Sequence, residues 1–205
     1  TAASCGGAAG LSYPAWAVGA GTGSSLQLFG LRSSASERTN LAVVNTGTEG
    51  TVTLRVTLRS GDGNAAYEVP SSLLPPLSPG EWRQVNDVDL LQAAGFANAT
   101  ATVTRVGGTA PFDAYAVFND NLSNDGSFVP AVPSEAGGGD VVVPVVVETS
   151  AFESELVLYN PSATPVRATL AYSESLASPR GAVGSASVDL GPGAQTIVPG
   201  ILDAL

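Results

Sequence analysis

Residues 26–45 and 141–160 are two versions of one stretch, and a chain that repeats a segment in this way is constrained to build two related units. The first reads LQLFGLRSSASERTNLAVVN and the second VVVPVVVETSAFESELVLYN, which sets Leu41-Ala42-Val43-Val44-Asn45 on Leu156-Val157-Leu158-Tyr159-Asn160 at an offset of 115. The correspondence continues downstream. Val52, Leu54, Val56 and Leu58 match Val166, Ala168, Leu170 and Tyr172 at an offset of 114, so one residue is lost in the intervening turn. Leu77-Ser78-Pro79-Gly80 then matches Leu190-Gly191-Pro192-Gly193 at 113. Upstream, Pro14 lies 31 residues before Asn45 and Pro130 lies 30 before Asn160, each followed by a Gly-rich spacer, 19–23 and 137–139. Residues 11–18 therefore read as the closing strand of a preceding unit or the opening strand of this one.

The repeated elements are strands. Residues 51–59 alternate strictly, with Val52, Leu54, Val56 and Leu58 on one face and Thr or Arg on the other, the pattern of a half-buried antiparallel strand. Ser60-Gly61-Asp62-Gly63-Asn64 supplies residues that tolerate positive φ, so the chain reverses there. Val, Thr, Ser, Gly, Ala and Pro dominate while Lys, His and Met are absent, which favours strands and turns. Only short helical turns are expected, at 87–94 with Asp87 as N-cap and Gly95 as stop, and at 200–205. The fold expected is all-β, two tandem antiparallel β-sandwich units.

Three segments follow: a lead at 1–25 with a possible donor strand, a first unit at 26–133 and a second at 134–205. The first unit closes with strands at 99–106 and 112–119, joined by Gly107-Gly108, and a last one at 128–132. The second has no equivalent of those strands and reads as incomplete, leaving apolar faces and unpaired edges. Several explanations stand: a fragment of a longer array, a smaller variant unit, a strand donated by another subunit, a swapped dimer, or the lead folding back within its own chain.

The 205 residues carry a net charge of -10, with all eight basic residues being scattered arginines, which argues against nucleic acid and anionic membrane as partners. The longest apolar run, 141–147, is interrupted by Pro144 and is far shorter than a membrane-spanning helix, so no membrane insertion is expected. Cys5 is the single cysteine, so neither an internal disulfide nor a thiolate cluster can form. Thr1-Ala2-Ala3-Ser4-Cys5 has the outline of a lipid-attachment site, although the position before Ala3 should prefer a larger apolar residue; an incidental exposed thiol is the other reading. Residues 1–10 are expected to be poorly ordered.

Without histidine, the hydroxyl and thiol triads and the usual zinc sites are excluded. Carboxylate chemistry remains, and Glu37, Glu81, Asp113, Glu153, Glu155 and Glu174 are its candidates, none in a recognisable motif. We expect no enzyme and no cofactor. Asn119-Asp120-Asn121-Leu122-Ser123-Asn124-Asp125-Gly126 gathers oxygens as a calcium loop does, but a helical calcium loop counted from Asn121 would need its bidentate acid at Val132. A backbone turn is the better reading. Asn98-Ala99-Thr100 and Asn121-Leu122-Ser123 fit the N-glycosylation pattern, whereas Pro161 blocks it at Asn160.

Two surfaces remain as sites. Trp82 and Arg83 place an aromatic ring and a guanidinium just after a turn, a combination that stacks on sugar rings or partner side chains, and Trp16, Tyr13, Tyr67 and Tyr115 extend the platform. The alternative is that Trp82 caps the end of the core with Arg83 outside. Leu11, Tyr13, Trp16 and Val18 form an apolar lead suited to a subunit interface.

In residues 38–45, in Pro79-Gly80-Glu81-Trp82-Arg83-Gln84 and in residues 112–130, the chain resembles tandem immunoglobulin-like β-sandwich repeats of large secreted bacterial proteins. The resemblance covers nearly everything after residue 11 and brings no catalytic residues. It implies extracellular scaffold, adhesion or appendage work. The expectation is a structural protein at the cell surface, a homo-oligomer or filament subunit completed by strand donation. The runner-up is a carbohydrate-binding accessory module of a secreted hydrolase, with a surface glycan as ligand.

Overall fold

A computed structural model describes residues 11–21, 24–134, 139–150, 153–173 and 183–205. Residues 1–10 with Cys5, the ends of both Gly-rich spacers and Glu174 lie outside the described residues. The chain is all-β, in antiparallel sheets, and forms two compact units, residues 1–59 with 66–136 and residues 60–65 with 137–205. The lead thus groups with the first unit, and the turn at 60–65 with the second.

In the first unit, one sheet contains β1 (Ser25–Arg32), β3 (Val52–Ser60), β4 (Ala66–Glu68), β6 (Asn98–Gly108) and β9 (Val132–Pro133), in the order β4-β3-β6-β1-β9. The other contains β2 (Glu37–Asn45), β5 (Trp82–Val85), β7 (Phe112–Asp120) and β8 (Gly126–Pro130), in the order β5-β2-β7-β8. Successive side chains of a strand point to opposite faces, and the inner faces of both sheets enter one core. Leu28, Val52, Val56, Leu58 and Val103 come from the first sheet; Leu41, Val43, Val85, Phe112, Ala114 and Ala116 come from the second. This is a β-sandwich.

Two irregularities make the pattern fit. On β1, Leu28 pairs with Ala101 but Leu31 pairs with Ala99, so a bulge at Phe29-Gly30 shifts the register and lets both leucines face inward. At the end of β6, Gly108 has φ 74, and a Cβ there would lie 2.0 Å from the Thr51 carbonyl oxygen, so only glycine fits. That same carbonyl accepts the N–H groups of Thr109 and Ala110 (3.2 and 3.3 Å), which turns the chain from one sheet to the other.

A 3-10 turn at Asp87–Asp89 leads into the single helical turn α1 (Leu91–Ala94), which Gly95 terminates in the left-handed conformation. Asp87 is not the cap expected from sequence, because its carboxylate makes no capping bond. It is buried instead, accepting from Ser33 Oγ (2.6 Å), Thr39 N (3.3 Å) and Gln92 Nε2 (2.7 Å), and so ties this turn to the strands beneath it.

The second unit contains β10 (Leu156–Tyr159), β11 (Val166–Ser173), β12 (Val183–Leu190) and β13 (Gln195–Val198), paired as β10-β13 and β11-β12. Its ladders reproduce those of the first at the sequence offsets. Leu41 pairs with Val85 as Leu156 does with Val198, and Val44 pairs with Trp82 as Tyr159 does with Gln195. The isolated bridge Val52–Leu77 becomes the pair Val166–Leu190.

A buried asparagine anchors each copy. Asn45 Nδ2 donates to Gly50 O (3.2 Å) and Leu77 O (3.0 Å), while its Oδ1 accepts from Gly47 N (2.9 Å). Asn160 Nδ2 donates to Thr164 O (2.8 Å), Leu190 O (3.3 Å) and Gly191 O (2.9 Å), and its Oδ1 accepts from Ser162 N (3.0 Å). Gly47 maps to Ser162 at an offset of 115 and Gly50 to Thr164 at 114, so the lost residue falls between the two bonds that the asparagine makes across its turn.

The copies differ in what flanks these pairs. In the first unit, β6 inserts beside β3, and β7 inserts beside β2. Among the described residues of the second, β10 and β11 each have a strand neighbour on one side only. Residues 141–147, which match β1 in sequence, form no strand, and Val141, Val142, Val143, Val145 and Val147 are exposed.

Candidate functional site

β7 reads FDAYAVFND, and both of its faces are apolar. Phe112, Ala114 and Ala116 enter the core, whereas Tyr115 and Val117 point outward and are nevertheless only 7% exposed each. With Ala42 from β2, which is Tyr115's register partner, they form a second apolar cluster on the outer face of the β5-β2-β7-β8 sheet. An antiparallel sheet commonly leaves such a face to water.

Here it is covered by residues 11–20, a strap that crosses the face instead of extending an edge. Leu11 packs on the cluster together with Phe128 from β8. The Tyr13 ring meets Tyr115 edge-on (5.5 Å, 71°) and Phe128 likewise (5.7 Å, 81°). Trp16 stacks on Tyr115 (5.8 Å, 24°) and leans on Phe128 (6.5 Å, 44°), and Tyr115 and Phe128 stack on each other (5.2 Å, 29°). Each such pair contributes about 0.5–1.5 kcal/mol beyond the area it buries. The strap is tied down at its C-terminal end, where Gly19 N donates to Thr46 O (2.7 Å) and Thr46 Oγ1 donates to Ala20 O.

The strap is not the strand that the lead was expected to be. Residues 11–18 carry no ladder, and Pro14 removes a donor that a paired strand would use. Of the four residues assigned to a subunit interface, Leu11, Tyr13 and Trp16 lie on or against the sheet of their own unit, and Val18 is 76% exposed.

Trp82, 50% exposed on β5, joins the same face by donating Nε1–H to the Tyr115 hydroxyl (2.7 Å). Arg83 does not. It is the register partner of Val43, a core residue, while Trp82 is that of Val44, so the two adjacent side chains leave the strand on opposite sides. Arg83 instead pairs with Glu81 (2.7 Å), and its Nε is buried without a hydrogen-bond partner. The proposed Trp82–Arg83 platform is therefore not one surface. Tyr67 is also elsewhere, packed from β4 against the main core.

Phe128 was missed as a member of this cluster, and so was the depth at which Tyr115 sits. The signal was present in sequence: residues 114–118 are apolar at consecutive positions, as in a strand buried on both faces.

Electrostatics follow the packing. Burial pushes the Tyr115 hydroxyl above the ordinary tyrosine range, partly opposed by the Trp82 hydrogen bond. Asp113, in the register row of Val44 and Trp82, is pushed up by burial, with only the Ala114 amide (2.7 Å) acting against it. Glu81 is held below the usual range by the Ser78 N–H and then by Arg83. Beside Trp16 the surface dips into a groove of about 260 Å³ lined by Trp16, Val18, Val44, Thr46 and Gly80.

The 119–126 turn and Glu37 are occupied by their own surroundings. Asp120 Oδ1 accepts from Leu122 N (2.9 Å), Ser123 N (2.6 Å) and Ser123 Oγ (2.8 Å), and Arg38 donates to the side-chain oxygens of Asn121 (2.7 Å) and Asn124 (3.1 Å). The oxygens of the 119–126 turn thus close the turn and hold Arg38 of β2. Among the described residues, no three of His, Cys, Asp and Glu gather where a metal ion could sit. Glu37 faces Arg32 (3.5 Å), and Glu148, which was not among the candidates, accepts Leu202 N (2.7 Å). Of the two N-glycosylation matches, Asn98 lies in β6 and Asn121 in the exposed turn.

No known protein family, curated protein or solved structure matches the chain. The fold and the site define an all-β protein whose first unit is a sandwich with an aromatic, strap-covered outer face.

Proposed function

We propose that this protein is a non-enzymatic structural or adhesion subunit of the cell exterior, built from immunoglobulin-like units, that self-associates by strand pairing at its second unit. The observation that carries this reading is the edge of β11, eight residues long, which among the described residues has one strand neighbour where its counterpart β3 has two. Such an edge is a template for main-chain pairing. Val52 and Leu77 exchange both backbone hydrogen bonds (3.1 and 2.8 Å), and the same register at Val166–Leu190 directs the N–H groups of Arg167, Thr169 and Ala171 away from β12. With most of the lead engaged on its own sheet, the partner edge is taken to be β11 of a second copy, antiparallel about a twofold axis. The sparse charge and the absence of lysine support an exported protein.

Light scattering over a concentration series tests this. The intact chain should gain mass with concentration, and Thr169→Pro, which removes one edge donor without touching the β11–β12 ladder, should stay at single-chain mass. An intact chain that keeps single-chain mass throughout would defeat the proposal.

One observation favours a second reading, a carbohydrate-binding module of a secreted hydrolase: Trp82 is half exposed beside the groove at Trp16 and Val44. A glycan screen with Trp82→Ala as control decides it. Arg83 has no part in this version.

A further inference from the structure

We propose that the strap is an exchangeable element, and that its seat on the outer face of the β5-β2-β7-β8 sheet takes the same segment of a second copy. This is a contact separate from the β11 edge and does not depend on it.

The seat is built from Tyr115, Phe128, Val117 and Ala42, with Trp82 bracing the Tyr115 hydroxyl. Its occupant is already known in chemical detail, because the chain's own strap fills it with Leu11, Tyr13 and Trp16. Among the described residues, no hydrogen bond joins positions 11–18 to the sheet; Leu11 and the rings of Tyr13 and Trp16 hold them by apolar contact, and positions 12–19 are exposed. Below the rings, the anchor at 19–21 is firm. Gly19 and Ala20 bond to Thr46, and Gly21, at φ 135, lies so close to the Phe112 carbonyl that a Cβ would approach its oxygen to 2.4 Å. The strap can therefore swing about a fixed pivot without disturbing the sandwich. Closure orders eight residues at a cost in conformational entropy that the ring contacts must offset. An open strap exposes the seat and three apolar side chains together, and the contacts it then makes on a second copy are the ones it leaves on its own. Closure within one chain prevails while the chain concentration is below the effective concentration of the tethered strap, which is on the order of millimolar for a short tether.

Two full-length variants, both carrying Thr169→Pro to silence the β11 edge, separate donor from acceptor. Tyr115→Ala with Phe128→Ala keeps the strap and removes the seat; Tyr13→Ala with Trp16→Ala keeps the seat and disables the strap. Each alone should show single-chain mass, and an equimolar mixture should approach twofold mass. A fluorescein-labelled synthetic peptide of residues 10–19 should gain anisotropy saturably on addition of the strap-disabled variant, which tests the seat even if the seat-less variant misfolds. A mixture that stays at single-chain mass, together with a labelled peptide whose anisotropy does not rise, overturns the proposal. So does twofold mass in either variant alone.

Discussion

Replacing Asn45 with alanine removes the side chain that holds the first unit's central turn. Asn45 is completely buried and makes three hydrogen bonds of 2.9–3.2 Å, to Gly50 O, Leu77 O and Gly47 N. Each is worth about 1 kcal/mol net, and stranding a buried partner costs about 1–3 kcal/mol, so a loss of about 3–4 kcal/mol is expected. With a urea m-value of about 2 kcal/mol/M, the unfolding midpoint should fall by about 1.5–2 M. Both tryptophans, Trp16 and Trp82, belong to the first unit, so tryptophan fluorescence reads that unit selectively. Asn160→Ala should act on the second unit and show its main effect in far-UV circular dichroism. Asn45→Asp keeps the acceptor for Gly47 N but sets a carboxylate against two carbonyl oxygens. It should be worse than alanine at neutral pH and recover, relative to wild type at the same pH, once the carboxyl protonates and can donate. A midpoint shift below about 0.3 M for Asn45→Ala, with m unchanged, would refute the assignment of the asparagine as anchor.

Gly108→Ala should destabilise the first unit by about 2–4 kcal/mol, read in the same titration, because φ 74 and the Thr51 oxygen both exclude a Cβ. Trp82→Phe should cost about 1 kcal/mol by deleting the bond to Tyr115, and Tyr115→Phe should add little to it, so a double-mutant cycle will be non-additive. Asp113 has the reverse pH behaviour of Asp62, Asp120 and Asp189. Its folded pKa lies above the unfolded 3.8, so stability is fully present below that value and is lost as pH rises through the folded pKa. Asp113→Asn should therefore gain stability over wild type at neutral pH and lose that advantage below pH 3.8. Asp120, Asp62 and Asp189 are shifted down by hydrogen bonds, chiefly to Ser123, Ser60 and Arg167, so their contribution is present above 3.8 and is lost on acidification through their folded values. Thermal melts across pH 3–7 distinguish the two signs.

Alternation alone placed β3, because Val52, Leu54, Val56 and Leu58 are governed by one period and one core. The second unit's pairs were legible through the repeat, down to Leu77 and Leu190 matching as neighbours of the two asparagines. The β1 bulge was not, since a shifted register is a property of two strands and only the β6 partner reveals it. The strap's address was illegible for a related reason: Tyr13 and Phe128 are 115 positions apart and nothing local says that they touch. The Trp82–Arg83 platform failed where the sequence had the means to warn, because neighbours on a strand diverge. Asp87 looked like a cap by its position before a short apolar turn, and burial redirected its carboxylate to Ser33 and Gln92.

The central positions of β6 and β7 also set an order in time. β2 and β5, or β3 and β4, can find one another early, but the sandwich closes only when residues 98–120 insert into the middle of both sheets. Pairings of such long sequence separation, as between Gln27 and Thr102, make folding slow and leave edges exposed while it proceeds. Before that insertion the first unit would consist of the same strand pairs that the second unit keeps in its folded state. On the ribosome, the nascent first unit should therefore be stickiest until residue 120 has emerged, and a chaperone that shields strand edges would be needed most during that interval.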